Sequence, residues 1–176
     1  MQSLIGELES VVAALRAARR PQRVQMAWHV LESQWGTLPA DYKEFGELYP
    51  SVEFDDLLLV QVPRPGEEAK RLESCGRDLD ILRDFVDDGD TEGYVAFPES
   101  GGLPPWGSSN QGDSFYWKTA ESPEAWTVVV NTANNDWWEF DGGLLSFLVG
   151  LFDGSIPAVG LPQGFSSDSP CVLAYP

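Results

Sequence analysis

Apolar residues recur along the first part of the chain at steps of three and four. Leu4, Ile5, Leu8, Val11, Val12 and Leu15 form one helical face. Ala13, Ala14, Ala17 and Ala18 favour helix, Arg16, Arg19 and Arg20 suit its C-terminal dipole, and Pro21 ends it. Residues 1–20 thus read as an N-terminal extension that docks on the body or on a second copy of the chain, giving a homodimer in the latter case. A second helix is expected over about 22–34, with Val24, Ala27, Trp28, Leu31 and Trp35 on one side and Gly36 closing it. Thr37 or its neighbour can cap a third helix, whose first turn suits Pro39 and whose buried face carries Tyr42, Phe45, Leu48 and Tyr49 before Pro50 stops it.

Phe54, Asp55 and Asp56 then lead into an expected strand over 57–62, which ends at Pro63. Leu72, Cys75, Leu79, Leu82 and Val86 mark the buried side of a long helix over about 66–86. After a turn at Asp87, Asp88, Gly89 and Asp90, strands are expected at 94–97, 114–118, 127–131 and 137–140, followed by a closing helix at 144–152. From Gly154 the chain is rich in Gly, Pro and Ser, and reads as an extended or looped tail over 155–176. Helices first, then an antiparallel sheet, then a helix give an α+β fold.

The 176 residues, 43% hydrophobic and 12% aromatic, suffice for one domain with its own core. Charge narrows the partners. The net charge is −17, and from Phe85 onward there are thirteen acids and one base, Lys118. Nucleic-acid backbones and anionic membranes need Lys and Arg, so direct binding to either is not expected, whereas a cationic partner would be drawn in. Cys75 and Cys171 are the only cysteines, and a chain of this size needs no disulfide. No apolar run approaches the ~20 residues of a membrane span. The N-terminal charges are in the wrong order for a secretory signal, so the chain reads as cytoplasmic.

The chemistry-bearing residues give little. His29 is the only histidine and lies on a helical pattern beside Trp28, and neither Cys75 nor any serine sits in a nucleophile-elbow context. One histidine and two separated cysteines exclude a Cys/His zinc site, and no phosphate-binding glycine loop is present. Asp88, Asp90, Glu92, Gly93 and Glu99 match the spacing of an EF-hand calcium loop. Pro98 and Gly101-Gly102 forbid its exiting helix, and the segment is read as an acidic turn before a strand. No cofactor is expected. Five of the seven tryptophans fall between Gly101 and Asp153; Trp106, Trp117 and Trp126 are expected in the core. Trp137 and Trp138 are adjacent in a strand and must face opposite sides, so one is expected to be buried and the other exposed or covered by a helix or a partner, which makes it the better interface candidate.

Trp35-Gly36-Thr37-Leu38-Pro39-Ala40-Asp41-Tyr42-Lys43-Glu44-Phe45 resembles the "LP-x-D-Y-x-x-F" helix start of the SUKH superfamily, relatives of the yeast cell-wall-assembly regulator that occur in bacteria as immunity proteins. Pro98, Gly101-Gly102-Leu103, Pro105-Trp106-Gly107, Asn110, Gly112-Asp113 and Tyr116-Trp117 resemble that family's "P-x-GGL-x-PWG" block and its continuation. Trp126–Asn131 and the pair Phe140 and Phe147-Leu148 resemble its next strand and closing helix, so the likeness spans about 28–154 within an expected domain of 21–154. Structural roles follow for Leu38, Pro39, Tyr42, Phe45, Pro105, Trp106, Trp117 and Trp126; Gly107 and Gly112 are expected to permit turns beside a polar loop, and Asp113 to hydrogen-bond backbone there.

The resemblance implies a twisted antiparallel sheet packed by helices and a non-catalytic role. The chain would be an immunity protein that neutralises a cognate toxin domain, one acting on nucleic acid and therefore basic. Candidate contacts are Glu53, Asp55, Asp56, Asp87, Asp88, Asp90 and Glu139, with Trp138. The alternatives are a regulatory or scaffolding module without a toxin, a carboxylate-based metal-dependent hydrolase, and a glycan-binding module.

Overall fold

The structure, a computed structural model, describes residues 3–176; Met1 and Gln2 of the N-terminal segment lie outside the described residues. Helices α1 (Leu4–Val11), α2 (Leu15–Ala18), α3 (Trp28–Trp35) and α4 (Ala40–Leu48) precede strands β1 (Ser51–Phe54) and β2 (Leu58–Val60). The long helix α5 (Glu68–Asp88) separates these from β3 (Pro105–Ser109), β4 (Ser114–Lys118), β5 (Thr127–Asn131) and β6 (Trp137–Phe140). Helix α6 (Leu144–Asp153) and strand β7 (Val172–Tyr175) close the chain. The seven strands form one antiparallel sheet in the order β6-β5-β4-β3-β2-β1-β7, the expected α+β architecture.

Alternation along the strands divides the apolar residues between two faces. Val52, Phe54, Leu58, Val60, Trp106, Phe115, Trp117, Val128 and Val130 point into the larger core, where α1, α4 and α6 lie. Tyr116, Val129 and Trp137 point to the other side, under Leu79 and Leu82 of α5 and the loop residues Ala96 and Leu103. The first helical segment spends its apolar face on the body of the same chain. Ile5, Leu8, Val12 and Leu15 are all buried in the larger core, and α1 packs against α6. The buried Glu9 carboxylate accepts a short hydrogen bond from the Tyr49 hydroxyl and pairs with Arg19 at 2.9 Å, tying this segment to α4.

Several element boundaries differ from the sequence reading. The first helix breaks at Val12 (φ −124°, ψ 77°) into α1 and α2. The expected helix over 22–34 begins only at Trp28, because Arg20 and Val24 donate their amides to the carbonyls of Leu48 and Glu47 at the end of α4. Those carbonyls have no partner within the helix, and an extended strap supplies one. Residues 94–97 do not form a strand; they carry a single bridge, Ala96 to Leu103, in a loop folded over α5's side of the sheet. Three strands went unread. Ser51–Phe54 and Pro105–Ser109 are short and punctuated by turn-forming residues, and Val172–Tyr175 lies in the tail, where it pairs with β1.

The motif residues have structural work. Leu38, Tyr42, Phe45, Trp106 and Trp117 are essentially inaccessible, and Trp126 is 5% exposed. The Tyr42 ring meets Trp117 edge-on at 4.7 Å, and its hydroxyl donates to the Gln61 carbonyl. Pro39 is the N-cap position of α4, and Pro105 opens β3, a position that needs no amide donor. Gly107 does not sit in a turn as expected. It lies in β3 beside a register shift, where a Cβ would come within 2.7 Å of the Leu59 carbonyl oxygen. Gly112 does occupy a turn, at φ +99°. Asp113 is buried and accepts the Ala133 amide and the Ser109 hydroxyl, locking two neighbouring turns together.

Candidate interaction surface

The turns β1–β2, β3–β4 and β5–β6 all fall at one end of the sheet, as the strand registers require. The C-terminal end of α5 arrives at the same end, where the Asp90 carbonyl accepts the Trp137 indole N–H and the Asn135 side-chain amide. Five of the acids singled out from sequence, Asp55, Asp56, Asp87, Asp88 and Asp90, are therefore gathered there. Lys118, the only base after Arg83, lies at the far end of β4.

These acids are not equivalent. Asp55 and Asp56 both adopt left-handed backbone (φ 52° and 53°), which the short polar side chain of aspartate tolerates better than most. The Asp55 carboxylate accepts the Ser167 amide and hydroxyl and the Cys171 amide, so it staples the tail and has little capacity left for a partner. Asp56, Asp87, Asp88 and Asp90 are exposed. Among the described residues no group of three or more His, Cys, Asp or Glu side chains could hold a metal ion, the EF-hand-like spacing from Asp88 to Glu99 included.

Glu139 and Trp138 lie apart from this end group. Glu139 is held by Lys118 (3.0 Å) and Thr127 (2.6 Å); burial works against its charge, but these hydrogen bonds outweigh burial and keep its carboxyl below the usual range. Trp137 and Trp138 do face opposite sides; Trp137 is buried, and Trp138 is half-buried against helix α6. Trp137 stacks on Tyr94 and Tyr116, while Trp138 packs against Phe147 and donates its indole N–H to the Val159 carbonyl.

The sequence reading missed an apolar field beside the acids. Among the described residues six large hydrophobic side chains are exposed, and four of them, Ile81, Phe85, Leu173 and Tyr175, belong to one face of the sheet. Helix α5 runs over the β3–β5 side of that face and leaves β2, β1 and β7 open. Register places Leu173 beside Glu53, Tyr175 beside Ser51, and Leu59 between Glu53 and Ser108. Glu53, the remaining acid from the sequence set, thus stands in the middle of the open floor. Burial, and after it the neighbouring Glu53 carboxylate, raises the Tyr175 hydroxyl pKa. Ile81 and Phe85 form the facing wall. One signal was available for them: they are large apolar residues four apart on α5 that lie off its buried stripe of Cys75, Leu79 and Leu82. A long helix with a second apolar edge has something further to cover.

An exposed apolar patch with a polar rim marks a protein-binding surface, and here the rim is mainly acidic, its arginines Arg77 and Arg83 being paired with Glu73 and Asp80. Catalytic chemistry is harder to assemble from these groups. His29 is exposed on α3, Cys75 is buried with its thiol pushed up to about 11 by burial, and Cys171 is an exposed free thiol. No helix among the described residues is long and apolar enough to cross a membrane. Compared with protein-family models, curated proteins and solved structures, the chain matches none.

Proposed function

We propose that this chain is a non-catalytic immunity protein of SUKH type, which binds a basic toxin domain through the open face of its sheet and the acidic turns beside it. The observation that carries the reading is the coincidence of four exposed large apolar residues with Glu53, Asp56, Asp87, Asp88 and Asp90 on adjoining surface of one domain, in a chain of net charge −17. Such a surface can steer a cationic protein by long-range attraction and hold it by apolar contact. A toxin whose own site grips a phosphate backbone presents the matching positive field. The order of motif residues from Trp35 to Leu148 supports the SUKH assignment, and their burial agrees with the structural role that resemblance gives them.

The test is co-expression with a toxin domain encoded beside its gene. Rescue of growth and a co-purifying complex whose formation slows as salt rises are the expected results. A chain that neither rescues nor captures that toxin, yet binds several unrelated partners, would instead fit a regulatory scaffold.

A further inference from the structure

Between the outer flank of α5 and strands β2 to β4 lies a slot bounded by Gln61, Ser74, Asp78, Phe85, Ser108 and Tyr116. We propose that this slot is a socket for a single arginine side chain presented by the protein partner. The identity of that partner rests on the immunity reading above; the chemistry of the socket does not.

Asp78 is the centre of the argument. Its carboxylate is half-buried and makes no hydrogen bond or ion pair among the described residues. The neighbouring cations are engaged elsewhere. Arg71 is buried beneath and donates to the Gln61 side chain at 3.0 Å and to the Pro105 carbonyl at 3.1 Å. Arg77 pairs with Glu73 at 3.1 Å on the solvent side. Burial raises the carboxyl pKa of Asp78 despite the two arginines, consistent with a charge that lacks a direct partner.

A half-buried carboxylate gains most from a cation that also fills its surroundings. The slot supplies hydroxyl acceptors at Ser74 and Ser108 and aromatic rings at Phe85 and Tyr116. A guanidinium matches that set: it is flat, it can bond a carboxylate through two N–H groups, and it stacks on aromatic rings. A lysine would satisfy the charge and could donate to a hydroxyl, but its strongly hydrated ammonium has no flat face to stack on the rings and no paired N–H groups for the carboxylate. An anion would meet Asp78 head-on, and an apolar guest would bury the carboxylate further without pairing it. Because Arg71 already tempers Asp78, the slot suits one inserted cation better than a basic cluster. Ile81 and Phe85 stand at its edge and can exclude water once the guest is seated, as residues around a binding hot spot do.

The experiment uses the isolated protein, so that it does not depend on any toxin. N-acetyl-arginine amide and N-acetyl-lysine amide are titrated while backbone amide resonances are followed. The expected result is saturable shifts confined to Ser74, Asp78, Ser108 and their neighbours, with arginine several-fold tighter than lysine. Asp78→Asn should weaken arginine by about tenfold, the loss of one charged partner worth about 1.4 kcal/mol. Phe85→Ala, on the exposed side, should narrow the gap between arginine and lysine, which a merely structural role for Phe85 would not do. Weak shifts spread over all the carboxylates, alike for both amides and unchanged by Asp78→Asn, would overturn the socket. Arginine binding in a protein that captures no toxin would leave the socket standing and count against the immunity reading; toxin capture without arginine binding would do the reverse.

Discussion

The two faces of the sheet use large side chains in opposite ways. Under α1, α4 and α6, Trp106, Phe115, Trp117 and Phe147 contact one another as a sealed aromatic cluster, with ring centroids 5.3 to 6.4 Å apart. On the face crossed by α5, Tyr116 and Trp137 are sealed at one side, but Ile81, Phe85, Leu173 and Tyr175 meet solvent at the other. The difference is topological. Three helices from both ends of the chain return to the first face, whereas a single helix and a loop return to the second, and one helix cannot cover seven strands. Apolar residues on the first face therefore specify the fold, and those left on the second are free to specify a partner.

The largest break in that comparison comes from the sealed side. Trp117→Ala should cost about 3–5 kcal/mol in denaturant unfolding, the range for deleting a large buried aromatic. Trp117→Phe should be milder, since the buried indole N–H has no partner among the described residues and only ring volume is lost. An alanine variant as stable as the parent would contradict the role given to this cluster.

Next in size is the joint between α4 and α6. Asp41 accepts the Leu145 amide at 3.0 Å and so caps the closing helix from a distant element. Asp41→Ala should cost about 1–2 kcal/mol. Burial raises the Asp41 carboxyl pKa although the Leu145 and Tyr42 amides oppose it. A raised folded pKa means that folding favours the protonated form. The cost of burying the charge is then present at neutral pH and disappears as pH falls through the folded pKa to the unfolded value of about 3.9. The parent should gain stability relative to Asp41→Asn over that window; a difference between the two that is flat with pH would refute the assignment.

Asp55→Ala should cost a similar or smaller amount, about 1 kcal/mol, and act locally. Its signature is faster amide exchange in Val172–Tyr175 while α6 stays protected, because the Ser167 and Cys171 bonds that hold the tail are lost. The smallest effect on stability belongs to the open face. Ile81→Asp with Leu173→Asp should leave unfolding within about 0.5 kcal/mol of the parent yet abolish the proposed capture of a toxin domain. Retained capture would move the binding surface elsewhere.

Much of this was legible beforehand, and the reasons can be traced residue by residue. Tyr42, Phe45, Trp106 and Trp117 could be placed in the core because each lies on a helix or strand pattern with large apolar volume. Helices α5 and α6 were readable within a few residues because their stripes are long. Strand β3 was not, because Pro105 and Gly107 argue against a strand; only the close approach of the Leu59 carbonyl explains the glycine. Asp55 looked like an available surface acid, and its engagement with Ser167 and Cys171 spans more than a hundred residues of chain. The acids were found by charge, but the apolar field they border was not, since Leu173 and Tyr175 belong to a tail with no strand signal of its own.

By itself the sequence determined the class of fold, the large residues that fill its core and the sign of the surface, because periodicity and charge are local properties of the chain. Tertiary structure decided which acids remain available, that β7 returns to pair with β1, and that one half of one sheet face stays uncovered. Those outcomes depend on contacts between residues far apart in the chain, and no local pattern encodes them.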